Sequence, residues 1–205
     1  MGRGLWFFFR SSPKKCPETD QFVEELASLG CKVLLIAGSV TIKADVMRAV
    51  NNTVTAGKPI AGVMNLAIVL KDIELADMTF ADWNKAIEPK IQGTWNLHEA
   101  TSSSQLEFFI LFSSHESIVG QWGQANYAAA NTFLDAFVQY RHRNGLIVAS
   151  VIDVGVMADV GFVSRNQDVL DRLRHAVCAP YKNGISLMPC AWLLKILVPR
   201  LPVTT

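Results

Sequence analysis

The sequence predicts an α/β fold: a doubly wound parallel sheet with helices on both faces. Three observations carry that expectation. Short apolar runs alternate with segments of helical periodicity from residue 5 to residue 154. Half of the 205 residues are hydrophobic, enough for one sizeable core. No internal repeat or low-complexity linker interrupts the alternation. A strand followed by a helix and another strand returns the chain in the same direction, so the sheet is parallel and covered on both sides.

Leu5–Phe9 is a continuous apolar run, the pattern of a strand buried on both faces. Thr19–Leu29 repeats apolar residues at Phe22, Val23, Leu26 and Leu29, a helical spacing closed by Gly30. Cys31–Ile36 reads as the next strand, Ile42–Ala56 as a second helix and Ile60–Ile68 as a third strand. Phe80–Ala100 reads as one long helix with a local distortion at Pro89. Leu106–Phe112 is a strand, Gln124–Asn144 a helix and Ile147–Val154 a strand.

Composition narrows the function classes. A net charge of +1 gives no electrostatic reason to expect nucleic acid or an acidic membrane as partner. Cys16, Cys31, Cys178 and Cys190 are scattered with no C-x-x-C pair, as expected of reduced cysteines in a cytoplasmic protein. The four histidines share no metal-ligand spacing, so no metal site is expected. His115 is the only one within the segment Phe112–Asn131, and is expected at a pocket entrance without a catalytic role. Leu5–Phe9 is too short for a signal-peptide core and ends at Arg10. Gly184–Pro202 is apolar but broken by Pro189, Lys195 and Pro199, so no membrane span is expected.

The chemistry concentrates in Phe112–Asn131, FSSHESIVGQWGQANYAAAN. Ser114 ends a strand thirteen residues before Tyr127, and Asn131 follows Tyr127 by four, on the same helix face. That pattern holds a phenol proton and a hydroxyl donor over one carbonyl oxygen, which hydride reduction of a ketone requires. Taken singly, Ser114 caps a strand and Tyr127 is an amphipathic helix residue. An unperturbed tyrosine, with a pKa of about 10, needs a nearby cation to bring it toward the working range.

GQWGQANYAAANTFLDAFVQYR, from Gly120 to Arg141, resembles the ketoreductase domains of polyketide synthases, particularly the fungal reducing ones, within the short-chain dehydrogenase/reductase superfamily. The likeness runs over roughly residues 5 to 165. Single-domain members of the superfamily usually carry lysine four residues after the tyrosine, where this chain has Asn131; synthase ketoreductases carry it on the preceding helix, where Lys90 stands in EPKIQGTWNLHE. The resemblance implies a Rossmann-like sheet of the short-chain dehydrogenase/reductase type. It also implies four catalytic residues: Tyr127 as proton donor, Ser114 holding the same oxygen, Lys90 tuning Tyr127 and binding the nicotinamide ribose, and Asn131 fixing a water or a helix backbone group.

The resemblance implies NADPH as cofactor, with cofactor-binding positions Arg10, Ser11, Ser39, Asn65, Ala67 and Gly155. Arg10 and Ser11 fall where the family grips the 2′-phosphate, a task that suits a guanidinium fork. Ser39 replaces the family's aspartate, and Asn65-Leu66-Ala67-Ile68 departs from its Ala-Ala-Gly turn. Gly155, in DVGVM, fits the turn that meets the nicotinamide amide. Leu5–Arg10 aligns with the family's second strand, so the first strand, the glycine-rich loop and the first helix are expected to be lacking. That strand lies between the second and the fourth, and without it the Leu5 and Cys31 strands would be cut off from the rest. Leu70-Lys71-Asp72 stands at a family marker of product stereochemistry and keeps its last residue.

Two functions remain. One is reduction of a β-ketoacyl thioester on an acyl carrier protein, among other polyketide synthase domains. The other is a truncated remnant, catalytically inactive and at most a structural or interaction module. The expected organisation is a partial ketoreductase domain over residues 1–165 and a divergent segment over 166–205.

Overall fold

The computed structural model describes residues 5–10, 17–55 and 59–155, with only the backbone described at 5–10, 17–19 and 54. Ser11, Cys16, Cys178, Cys190 and the segment 166–205 lie outside the described residues. The chain divides into two compact units: Arg3–Asp153, and Met1–Gly2 with Val154–Thr205.

The elements are β1 (Leu5–Arg10), α1 (Pro17–Ser28), β2 (Lys32–Ala37), α2 (Lys43–Thr55), β3 (Gly62–Asn65), α3 (Phe80–Ile87), α4 (Ile91–Ala100), β4 (Phe108–Ser114), α5 (Glu116–Val119), α6 (Ala125–Arg143) and β5 (Ser150–Val154). All but the final residue of β5 fall in the larger unit, Arg3–Asp153. Strand and helix alternate as the sequence implies. α1 stops at Gly30, whose φ of 81° lies in the region that favours glycine; Cys31 N–H then reaches back to the Leu26 carbonyl at 3.0 Å.

β1 pairs in parallel with β2, from Leu5 opposite Lys32 to Arg10 opposite Ala37. β3 pairs in parallel with β4, from Gly62 opposite Phe108 to Asn65 opposite Leu111, and β5 adjoins the far edge of β4. Among the described residues these are two sheets, β1-β2 and β3-β4-β5, sharing no strand. The division falls where a doubly wound sheet of this order places its first strand. β2 is correspondingly bare, with Leu35 52 % exposed.

The core lies in the second sheet. Val63, Phe109 and Leu111 meet Leu134, Phe137 and Val138 of α6, and Ala149 closes the cluster ahead of β5. Phe109 and Phe137 are essentially inaccessible, and aromatic side chains of this size dominate such an interface. Arg141 is buried with its guanidinium 4.3 Å from the Phe109 ring centroid and Nη1 2.7 Å from His98 Nδ1.

Three expectations need correction. The long helix over Phe80–Ala100 is two helices. Pro89 has no N–H to donate and its ring crowds the preceding turn, so α3 ends at Ile87 and α4 begins at Ile91. The third strand is only Gly62–Asn65, because the Asn65 side chain turns the chain by accepting Ala67 N–H at 3.0 Å. A short helix, α5, directly follows β4 where the sequence pattern implies none.

Candidate active site

Parallel strands leave their carboxyl ends along one edge, where ligands bind in sheets of this type. Ser114 is the last residue of β4, Asn65 the last of β3, and Ser39 follows the end of β2. The break at Pro89 sets Lys90 at the head of α4. The residue is 3 % exposed, and its Nζ donates to the Phe112 carbonyl of β4 at 2.7 Å. Burial pulls its pKa down to about 8, leaving it mostly charged at neutrality.

Tyr127 lies in the first turn of α6 and is 8 % exposed. Gly120 and Gly123, with φ of 71° and 74°, shape the loop that leads into this helix. The side chains of Ser114 and Asn131 come close enough to the phenol to draw its pKa down. Lys90 Nζ stands 5.8 Å from the centroid of its ring. Asn131 is fully buried, its Nδ2 donates to the Tyr127 carbonyl at 2.8 Å, and its Oδ1 has no hydrogen-bond partner. Ser114, Tyr127, Lys90 and Asn131 are therefore brought together.

The electrostatics depart from expectation. The resemblance implies that Lys90 lowers the pKa of Tyr127, yet the phenol is held above its ordinary value. Burial is the largest cause; hydrogen bonds with Ser114 and Asn131 pull the other way, and the charges of Glu116 and Asp72 push it up again. Lys90 spends its short bond on the Phe112 carbonyl and not on the phenol oxygen. At neutral pH Tyr127 keeps its proton.

The positions proposed for a dinucleotide fare unevenly. Ser39 takes part in the turn before α2: its N–H donates to Asp45 Oδ2 at 2.9 Å and its Oγ lies 2.8 Å from Thr41 Oγ1. Asn65 is buried and donates to Thr94 Oγ1 at 3.0 Å, joining β3 to α4, with Ala67 bound to its Oδ1. Arg10 is the last residue of β1, with its backbone alone described. Gly155 directly follows β5 and belongs to the second unit. His115 is exposed at the N-terminus of α5. Among the described residues no cluster of His, Cys, Asp and Glu could hold a metal ion, and Cys31 is a buried free thiol. None of the described helices is long and apolar enough to cross a membrane.

Sequence reasoning missed several positioning residues. Asn126 Nδ2 holds the Lys71 carbonyl at 3.0 Å and Ile73 N–H donates to Gly123 O at 2.9 Å, pinning the Asp72 loop beside Tyr127. Thr94 and Asn96 are buried polar residues of α4; Asn96 Nδ2 donates to the Val40 carbonyl at 2.9 Å. Glu116 accepts the Ser114 hydroxyl proton on Oε2. A carboxylate two residues after the motif serine was visible in the sequence, but nothing there said which way it would turn.

This fold and this grouping define an α/β domain of the short-chain dehydrogenase/reductase type. A family model described as the KR (ketoreductase) domain matches residues 3–159, and the chain belongs to that family. Members of the family bind nicotinamide dinucleotides. The chain is 66 % identical over 168 residues to a highly reducing polyketide synthase of Purpureocillium lilacinum, covering 82 % of this chain and 6 % of that protein. It is 50 % identical over 173 residues to another from Fusarium sp, covering 84 % of this chain and 7 % of that one. The chain thus spans about 6–7 % of the length of these curated relatives. Among solved structures, A-type ketoreductases from a modular polyketide synthase superpose with a TM-score of 0.76 at 29 % identity, over 86 % of this chain and 37 % of that one. A ketoreductase domain of the bacillaene assembly line shares the fold with a TM-score of 0.78 at 24 % identity, over 98 % of this chain and 48 % of that one.

Proposed function

We propose that this chain reduces a β-ketoacyl thioester to the β-hydroxyacyl product, with NADPH as reductant and the acyl chain borne by an acyl carrier protein beside other synthase domains. The observation that carries this reading is the convergence of Ser114, Tyr127 and Asn131 side chains with Lys90 buried against the tyrosine ring. Reduced nicotinamide supplies hydride to the keto carbon. Tyr127 gives its proton to the oxygen as charge develops there, and its raised pKa keeps that proton in place until an alkoxide, a far stronger base, needs it. Ser114 donates to the same oxygen and lowers the energy of that charge. Asn131 Oδ1, buried and without a partner, is an acceptor for the water that returns a proton to the phenolate.

The residues present fit a nicotinamide ribose, because Lys90 offers a buried ammonium whose three donors are not exhausted by one carbonyl. Arg10 and Ser11 would hold the 2′-phosphate, and Gly155 would meet the nicotinamide amide. Ser39 and Asn65 contribute as shape, since both side chains already serve the protein. The cytoplasm is the compartment this reading implies.

A second reading has one observation in its favour. The two-part sheet supports a catalytically inactive remnant that acts as a structural or interaction module. Calorimetric titration with NADPH, alongside turnover of a simple cyclic ketone by the wild-type and Tyr127→Phe chains, separates the two. Saturable binding with Tyr127-dependent turnover supports the reductase. A folded chain that binds no NADPH supports the remnant.

A further inference from the structure

A hydroxyl has one proton to give and two lone pairs to offer. Ser114 gives its proton to Glu116, on the one-turn helix that comes after β4. While it does so, that proton is not offered to a substrate oxygen. We propose that Glu116 is a positioning residue that competes with the substrate carbonyl for the Ser114 proton, holding the oxyanion donor in reserve until the substrate displaces it. The inference rests on the ketoreductase reading of this site and adds a residue which that reading does not use.

The surroundings support it. A carboxylate acceptor makes a stronger hydrogen bond than a neutral carbonyl, so Glu116 is a serious competitor for the proton. None of the ion pairs among the described residues engages Glu116, which leaves Ser114 as the hydrogen-bond partner its carboxylate shows. Tyr127 of α6 faces the pair, Lys90 at the head of α4 and Asp72 from the loop pinned by Asn126 act on the same phenol, and Asp135 of α6 stands by Ser117 of α5. β4 contributes no charged side chain, and exposed His115 precedes Glu116 on α5. Glu116 also acts on the phenol, because its charge favours the protonated form. Freeing the serine proton would stabilise the phenolate as well as the reacting oxygen.

Glu116→Gln keeps the length of the side chain and removes its charge. The expected result is a kcat/KM raised about fivefold, the ratio between a charge-assisted and a neutral acceptor, with the gain in kcat and KM changed less than twofold. In a Ser114→Ala background the same substitution should raise kcat/KM by clearly less. The second measurement needs no turnover: ultraviolet titration of the Tyr127 phenolate, taken as wild type minus Tyr127→Phe. The midpoint should move to lower pH in Glu116→Gln, and the move should be smaller when Ser114 is alanine, because only the direct effect of the Glu116 charge then remains. A shift of equal size in both backgrounds, or a kcat/KM lowered by Glu116→Gln, overturns the proposal. A wild-type chain without turnover sinks the reductase reading, and the phenolate titration still decides whether Glu116 works through Ser114.

Discussion

Replacing Lys90 by methionine removes a buried charge while keeping most of the side-chain volume. In the folded chain Lys90 is 3 % exposed and its pKa falls from the ordinary 10.5 to about 8. Below pH 8 both folded and unfolded chains carry the proton, and the folded one bears the full penalty of burying it. Between the two values the unfolded chain binds more protons, so stability rises with pH. Integrating that difference from pH 7 to pH 10 gives a gain of about 2–3 kcal/mol for wild type relative to Lys90→Met. Tyr127 titrates in both chains and largely cancels. Urea unfolding of both proteins at several pH values reads the effect directly. A stability difference constant to within about 0.5 kcal/mol over that range would refute the buried placement of the ammonium.

The same geometry sets three further outcomes. Asp72→Asn removes one of the charges that hold the Tyr127 pKa up, so the alkaline fall in kcat/KM should begin at lower pH; an unmoved limb would mean that Asp72 does not face the phenol. Gly93→Ala would set a Cβ 2.9 Å and 3.0 Å from the two γ-methyls of Val40, beside Ser39. It should lower stability by about 1–3 kcal/mol in thermal unfolding and weaken NADPH binding; an unchanged Tm would show the contact to be loose. Asn131→Ala deletes the amide that holds the Tyr127 carbonyl at 2.8 Å, and turnover should fall roughly tenfold or more.

The alternation of elements was legible because the apolar spacing switches between strand and helix periods, and a parallel sheet follows from that switch alone. Its division into two sheets was legible for a different reason. Leu5–Arg10 resembles the family's second strand, and the strand that would join it to the rest of the sheet is not found among the described residues of 5–155. Boundaries were less visible. Pro89 announced a distortion, but whether a proline bends or breaks a helix depends on what the next residue can bury, and Lys90 turns inward to a strand carbonyl. The grouping of Ser114, Tyr127 and Asn131 was readable as spacing. The sign of the tyrosine's pKa was not, because it depends on burial and on carboxylates that arrive from α5 and from the Asp72 loop. The polar bonds of Thr94, Asn96 and Asn126 join residues far apart in sequence, and no local pattern announces them.

The most direct test of the central claim traces the hydride. NADPH deuterated at the transferable position would be incubated with the chain and a β-ketoacyl thioester analogue, and the product weighed by mass spectrometry. The account predicts a β-hydroxy product carrying the label on its new carbinol carbon, formed by wild type and lost in Tyr127→Phe. Unlabelled product, or labelled product formed equally well without the Tyr127 hydroxyl, would contradict it.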